Sequence, residues 1–354
     1  MRPVIEFAVN GVFNCPHSRK VLRARSAVLV RRASVKRDRR PNLRITPNGS
    51  LYFFDPGYCC GVAWIIVRAS QDREASEPME NVLQGSRGCL RIAVAGLGPI
   101  GTRVVKALDE GIDGMVLAAV SAQNPEKHRS WLAELETTPA MLPIEALCGV
   151  ADMVIECAPG RLLRSIVAPF VGSGKTAVVL SAGALLEQED LIELARQNGG
   201  QIVVPTGALI GLDAVTAAAV GEIHSVRMVT RKPISGLAGA PYIVENKIDI
   251  EGITEPLRIF EGTAREAAKG FPANLNVAAA LSLAGIGPDR TRLEIWADPT
   301  VTRNVHRIEV ESDSARFSMT IENIPSENPR TGRITALSVI AYLRKQRAAL
   351  RVGT

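Results

Sequence analysis

The sequence predicts an α/β protein in which a doubly wound parallel sheet is followed by a second, α+β domain. Short apolar strands alternate with helical segments between Leu90 and Val204, which is typical of parallel sheets covered by helices on both faces. After Pro205 the strands alternate between apolar and polar residues, as in a sheet with one exposed face. The 354 residues, 46% of them apolar, are enough for about two domains.

Each element is predicted from its own pattern of apolar residues. In the first domain, residues 89–205, strands are predicted at 90–96, 115–120, 153–156, 177–181 and 201–204, with helices at 162–170 and 187–197. In the second domain, residues 206–330, strands are predicted at 226–230, 294–297, 306–311 and 318–323, with helices at 263–269 and 276–284. We expect an amphipathic helix at residues 331–350 to pack back on the first domain.

Residues 1–88 form a basic extension that we expect to be mostly disordered. They hold 15 Lys and Arg against 7 Asp and Glu, a net charge of +8, whereas the remaining residues carry 27 basic and 29 acidic side chains. The whole-chain charge of +6 therefore does not indicate a nucleic-acid-binding body. No apolar run approaches the ~18 residues of a membrane span, so we expect no membrane partner.

The six cysteines are Cys15, Cys59, Cys60, Cys89, Cys148 and Cys157. They are too few for a disulfide framework and lack the spacing of metal ligands. We therefore predict no metal site and a reducing, cytoplasmic location.

A glycine-rich turn follows the first predicted strand and opens a helix. Its sequence is Gly96-Leu-Gly98-Pro99-Ile100-Gly101. In this pattern the first glycine permits the tight turn, the second lets the backbone approach a pyrophosphate, and the third allows close helix–strand packing. The pattern predicts a Rossmann-type dinucleotide site at the positive end of the helix dipole.

The cofactor is predicted to be either NAD or NADP. Dinucleotide sites selective for NAD carry an Asp or Glu after the second strand, where it holds the ribose 2′-hydroxyl. Here that position is neutral (Ser121-Ala-Gln123-Asn124), and Lys127, His128 and Arg129 follow. A 2′-phosphate should therefore be tolerated, although these basic residues could equally form a solvated helix face.

Two further patterns have competing interpretations. Gly172-Ser-Gly-Lys-Thr176 resembles part of a phosphate-binding loop, but it follows a helix and precedes a strand, so we predict an ordinary turn. His306, close to Asp298 and Asn304, is a candidate acid–base group. From the pattern alone, an ordinary strand histidine is the stronger alternative.

Four segments favour the acid–base interpretation of His306 over the structural one. They are Val204-Pro-Thr-Gly-Ala208-Leu-Ile-Gly-Leu-Asp, Phe271-Pro-Ala-Asn-Leu-Asn276-Val-Ala, the run from Ala297-Asp298-Pro to Asn304-Val-His306, and Glu322-Asn-Ile-Pro-Ser-Glu-Asn-Pro-Arg-Thr331. With the glycine loop, their order and spacing closely resemble the L-aspartate dehydrogenase family, over about residues 90–354. Residues 1–88 have no counterpart in the resemblance.

The resemblance implies reversible, NAD(P)-dependent oxidative deamination of L-aspartate to iminoaspartate, which hydrolyses to oxaloacetate and ammonia or enters NAD biosynthesis. It implies that His306 is the active-site residue, that Ala208 and Asn276 contact the cofactor, and that the protein is a homodimer. Alternatives are a related dehydrogenase or imine reductase acting on another small amino acid, and a non-catalytic nucleotide sensor. For the substrate carboxylates, Lys232 and Arg333 are candidates from charge alone, and a surface ion pair is the commoner role for each.

Overall fold

The protein, in a computed structural model, forms two units, residues 1–85 and 86–354. The structure describes residues 88–271, 275–325 and 332–353, and five short strands nearer the N-terminus. In the first unit, β1 (Val9–Asn14) pairs antiparallel with β2 (Val21–Ser26), and β3 (Asn42–Ile45), β4 (Ser50–Phe54) and β5 (Val67–Arg68) form an antiparallel sheet. The rest of the predicted disordered extension lies outside the described residues.

The second unit begins with a six-stranded parallel sheet in the order β11-β10-β9-β6-β7-β8. Its strands are β6 (Leu90–Ala95), β7 (Met115–Ser121), β8 (Ala140–Met141), β9 (Met153–Glu156), β10 (Thr176–Val179) and β11 (Gln201–Val203). The chain starts in the middle, winds to one edge, returns and winds to the other. This is the predicted doubly wound topology, and the fold class is confirmed.

Helices cover both faces of this sheet. They are α1 (Pro99–Asp109), α2 (Arg129–Ala133), α3 (Ile144–Val150), α4 (Leu163–Gly172), α5 (Ala182–Leu185) and α6 (Asp190–Asn198), joined by the C-terminal α11 (Ile334–Arg347). Ile92 and Val94 of β6 pack with residues of α1 and α11, whereas Ala93 packs with α3 and α4. Successive strand residues thus enter different cores, which explains why β6 is continuously apolar from Ile92 to Ala95.

The second domain contains a five-stranded mixed sheet in the order β13-β14-β12-β15-β16. Its strands are β12 (Ile223–Lys232), β13 (Leu257–Thr263), β14 (Thr291–Ala297), β15 (Asn304–Ser312) and β16 (Arg316–Asn323). The inner face packs against helices α7 (Leu212–Ala218), α8 (Pro241–Glu245), α9 (Ala264–Gly270) and α10 (Asn276–Ala284). The outer face is polar and more exposed, as the alternating pattern predicts.

Several boundaries differ from the sequence-based expectation. Strand β8 was not predicted because a two-residue edge strand carries no period, and neither α3 nor β13 was predicted. Helix α11 is shorter than residues 331–350, since it ends at Arg347 before extended backbone at Ala348. The Gly172–Thr176 segment is the predicted turn, with α4 ending at its first residue and β10 starting at its last. Within the described part of the chain, no helix is long and apolar enough to cross a bilayer.

Candidate active site

The turn between β6 and α1 requires each of its three glycines for a different reason. Gly96 has φ +101°, and a Cβ there would lie 2.6 Å from the Cys157 carbonyl oxygen. A Cβ at Gly101 would lie 1.9 Å from the Gly96 carbonyl oxygen, whereas one at Gly98 would meet nothing within 4 Å. The open space at Gly98 lets a ligand approach the backbone, as the dinucleotide motif requires.

The start of α1 suits an anionic group. Pro99 occupies the first helical position, Gly98 precedes it without a side-chain cap, and the first turn carries no acidic residue. The uncapped N–H groups and the helix dipole therefore remain available to phosphate oxygens. The residues present fit a bound dinucleotide.

A cleft beside this turn runs along the carboxyl ends of β6, β7 and β9. Besides Gly96, Gly98, Pro99 and Ile100, it is lined by Ser121, Ala122, Gln123, Asn124 and His128. The neutral loop after β7 therefore faces the same cleft as the glycine turn. Ligands of open α/β sheets bind at this edge, where the strand order reverses.

A second cavity, of about 170 Å³, lies between the first sheet and the second domain. It shares Ile100, Cys157 and Ala158 with the cleft. Residues from both domains line it, among them Ser181, Ala182, Ala208, Lys232, Asn276, Asn304, His306 and Asn323. The cavity therefore brings together four predicted site residues: Ile100, Ala208, Asn276 and His306. Three others, Gly96, Gly98 and Pro99, line the adjoining cleft, and Gly101 packs beneath it.

His306 is buried on the inner face of β15, with only 3% of its surface exposed. Its Nδ1 lies 3.2 Å from the Thr230 hydroxyl oxygen on the neighbouring strand, which leaves Nε2 for the cavity. Burial, and secondarily the positive charge of Lys232, lowers the pKa of His306 to about 3. The imidazole is therefore neutral at neutral pH, and in the tautomer whose Nδ1–H donates to Thr230 its Nε2 is unprotonated.

Two residues predicted to contact the cofactor are held by hydrogen bonds to residues distant in sequence. The Asn276 Oδ1 accepts from the Gly183 backbone N–H at 3.0 Å, which joins α10 to α5. The Ala208 carbonyl accepts from Asn323 Nδ2 at 2.8 Å. The first contact joins the two domains at the cavity, and the second links two segments within the second domain.

Glu156, which the sequence analysis did not single out, is fully buried at the end of β9. Its carboxylate accepts from the Ser181 hydroxyl and from the backbone N–H groups of Ala158, Leu180 and Ser181, all within 3.1 Å. Burial raises its pKa, and the four donors oppose that effect. Glu156 thus ties together the strand ends that line the cavity. The sequence signal that could have identified Glu156 is an acidic residue at the end of an apolar strand.

Lys232 is not on the surface, contrary to its commoner role. It is the last residue of β12, 3% exposed, and lines the cavity with His306. The sequence signal that could have identified Lys232 is its spacing, because every second residue of a strand points to the same face and Lys232 shares its face with Met228 and Thr230. Arg333, the other cationic candidate, instead donates from Nε to the Pro325 carbonyl and lines a groove beside α1.

The parallel sheet, glycine turn and adjoining cavity define the class of nicotinamide-dinucleotide-dependent dehydrogenases. A family model for the NAD-binding domain of homoserine dehydrogenase matches residues 96–205, and one for the C-terminal domain of aspartate dehydrogenase matches residues 213–346. An L-aspartate dehydrogenase of Bradyrhizobium diazoefficiens is 69% identical over 265 residues, covering 75% of this chain and 94% of that protein. The chain belongs to the L-aspartate dehydrogenase family.

Other proteins agree with this assignment. L-aspartate dehydrogenase 3 of Bordetella bronchiseptica is 57% identical over 270 residues, 76% of this chain and 99% of that protein. A crystal structure of aspartate dehydrogenase from Thermotoga maritima, 21% identical, superimposes with a TM-score of 0.58 over 75% of this chain and 99% of that chain. The structural match supports the fold of both domains.

Proposed function

We propose that this protein is an NAD(P)-dependent L-aspartate dehydrogenase that converts L-aspartate reversibly to iminoaspartate, and thereby to oxaloacetate and ammonia. The observation that carries the proposal is the position of His306, whose neutral ring lines a cavity that adjoins the dinucleotide cleft. The 69% identity to a relative named L-aspartate dehydrogenase supports the choice of substrate.

We assign proton transfer to His306. A bound nicotinamide cofactor would supply the hydride acceptor for the substrate Cα. The neutral imidazole takes a proton from the substrate ammonium or from the water that adds to the imine carbon, and it returns a proton in the reverse direction. Thr230 orients the ring through Nδ1. Burial of the ring keeps it unprotonated between turnovers.

For the cofactor, the cleft supports both NAD and NADP. Gln123 and Asn124 line it where a selective enzyme would carry a carboxylate. Without a negative charge at that position, repulsion of a 2′-phosphate is small. The glycine turn (Gly96, Gly98, Pro99, Ile100 and Gly101) would hold the pyrophosphate through the backbone N–H groups of its residues other than Pro99, which has no N–H.

A steady-state assay tests the proposal against its alternatives. The enzyme is given L-aspartate and a panel of other amino acids, each with NAD and with NADP. We expect L-aspartate to give the highest kcat/KM. Faster turnover of another amino acid would point to a related dehydrogenase, and cofactor binding without turnover of any of them would indicate a nucleotide sensor. His306 lining the cavity favours catalysis over sensing.

We further propose that the protein is a cytoplasmic homodimer. The three cysteines in the described part of the chain, Cys89, Cys148 and Cys157, are free thiols, which suits a reducing compartment. The outer face of the second sheet carries Trp296 with Arg231 stacked at 5.0 Å over its ring and is the surface we expect at the dimer interface. Analytical ultracentrifugation measures the mass directly, and a monomer at micromolar concentration would contradict this assignment.

A further inference from the structure

Three neighbouring strands place polar side chains in a row at the edge of the cavity. In the antiparallel register Thr230 pairs with His306, and Asn304 pairs with Asn323. The first register ends with Arg231 opposite Val305, and the next residues along the two strands are Lys232 and Asn304. Lys232, Asn304 and Asn323 therefore lie side by side on β12, β15 and β16, with side chains about 5 Å apart from strand to strand. We call these three residues the polar row. Thr230 and His306 form the neighbouring pair on the same face, two residues away along β12 and β15.

Every member of the polar row is buried and lines the cavity. Lys232 and Asn323 are each 3% exposed and Asn304 is 9% exposed. Burial of an amide is costly unless a partner compensates it. Lys232 lies close enough to His306 that its charge lowers the pKa of the imidazole. A positive charge therefore reaches the space in which the substrate must lie for His306 to act on it.

Asn323 adds an acceptor with a fixed direction. Its Nδ2 donates to the Ala208 carbonyl at 2.8 Å, and because a carbonyl can only accept, the amide cannot be flipped. The Oδ1 that remains is buried and has no hydrogen-bond partner among the described residues. A buried acceptor of this kind is satisfied by an N–H or O–H donor. L-aspartate carries one cationic donor group, its ammonium, and two carboxylates.

We propose that the polar row recognises the substrate, with the Lys232 ammonium binding a carboxylate of the amino acid and Asn323 Oδ1 accepting a hydrogen bond from its amino group. The assignment rests on the proposed function. It makes Lys232 and Asn323 binding residues and leaves proton transfer to His306. Because the amino group and a carboxylate are bound at separate places, the row would also fix which face of Cα is presented to the nicotinamide.

Succinate separates the two contacts, since it has both carboxylates of aspartate and no amino group. Its inhibition constant against L-aspartate is measured for wild type, Lys232→Met, Lys232→Arg and Asn323→Leu. We expect Lys232→Met to weaken succinate at least tenfold, and Lys232→Arg to weaken it less because the charge is kept. Asn323→Leu should leave succinate binding within twofold while it raises the KM for L-aspartate at least fivefold.

Two controls show that the effects arise at the row. Arg196→Met removes one positive charge from helix α6, where that side chain is 76% exposed, and should change no constant more than twofold. The Kd for NADH, measured by fluorescence, should also stay within twofold in all variants. Unchanged succinate inhibition in Lys232→Met would overturn the assignment of Lys232. If Asn323→Leu loses NADH binding as well as raising the KM for L-aspartate, the assignment of Asn323 is overturned.

Comparison of L-aspartate with L-alanine identifies the carboxylate. If Lys232→Met lowers kcat/KM for aspartate only, the distal carboxylate is bound; an equal loss for both substrates identifies the α-carboxylate. Should Lys232→Met fail to fold, wild type still decides, because succinate must inhibit at least tenfold better than the neutral succinamide. An absence of aspartate turnover in wild type would overturn the proposed function, whereas normal turnover with an insensitive Lys232→Met would overturn only this inference.

Discussion

At the scale of single residues, His306 has the strongest expected effect on chemistry. General acid–base groups contribute about 10²–10⁴-fold to rate, so His306→Ala should lower kcat at least a hundredfold. NADH affinity, measured by fluorescence, should stay within a few-fold, because the glycine turn that would hold the cofactor is a separate element. The ionisation in the wild-type pH–rate profile should be absent from the variant. Near-normal kcat would remove His306 from the mechanism, and loss of cofactor binding would indicate a folding role.

Burial of His306 should also make stability depend on pH. The imidazole has a pKa of about 3 in the folded protein and about 6.5 when unfolded, so the unfolded chain binds the extra proton between these values. Stability from this group is therefore complete above pH ~6.5 and is lost as pH falls toward 3.

Urea denaturation at pH 6 and pH 5 checks this expectation. From pH 6 to pH 5, wild type should lose about 1 kcal/mol more free energy of unfolding than His306→Asn, which cannot take up the proton. The same substitution removes the hydrogen bond to Thr230, but that loss is similar at both pH values and cancels in the comparison. Parallel losses in the two proteins would mean that the folded imidazole protonates normally.

At the scale of elements, the loop after β7 should set the choice of cofactor. Gln123 lines the dinucleotide cleft, so Gln123→Asp would place a negative charge beside a 2′-phosphate. We expect the KM for NADP to rise far more than the KM for NAD, as measured in parallel titrations with Gln123→Asn as the uncharged control. A wild-type preference for NAD above about a hundredfold, roughly 2.7 kcal/mol, would contradict this interpretation of the loop.

The elements themselves were predictable where one physical constraint dominates. From Ile92 to Ala95, strand β6 is buried on both faces, so this continuous apolar run predicted both the existence and the position of the strand. Helix α9 begins after Thr263, whose side chain forms a capping box with Glu266, and its boundary was predicted to within one residue. The two-residue β8 and the strand β13 were missed because neither has a pattern that distinguishes it from a loop.

At the scale of the whole molecule, the cavity depends on contacts that local sequence does not encode. Residues of the glycine turn could be named from one short motif, and His306 and Asn276 from their resemblance to a family. Lys232 was a candidate from charge alone and Glu156 was not predicted as a site residue, because their positions at the cavity come from the sheet register and from the meeting of strand ends far apart in sequence. The Asn323–Ala208 hydrogen bond, 115 residues apart, shows the same dependence on tertiary packing.

Two observations indicate that the enzyme can function without residues 1–78. The unit that carries both sheets of the catalytic body comprises residues 86–354, and the two family models match only residues 96–205 and 213–346 within it. The N-terminal segment accounts for the chain's net positive charge, +8 over residues 1–88 against −2 in the rest, and that charge lies outside the segments that the family models match.

A protein that starts at Met79 should therefore keep kcat and the KM values for L-aspartate and both cofactors within twofold of the full chain. Thermal unfolding of the catalytic body should also be unchanged, since its three hydrophobic cores are built from residues 92–343. Steady-state kinetics and differential scanning calorimetry of the two proteins, purified in parallel, make the comparison. A large fall in kcat or in cofactor affinity would mean that the segment belongs to the working enzyme. A fall in the unfolding temperature with unchanged kinetics would instead show that it supports the fold without taking part in catalysis.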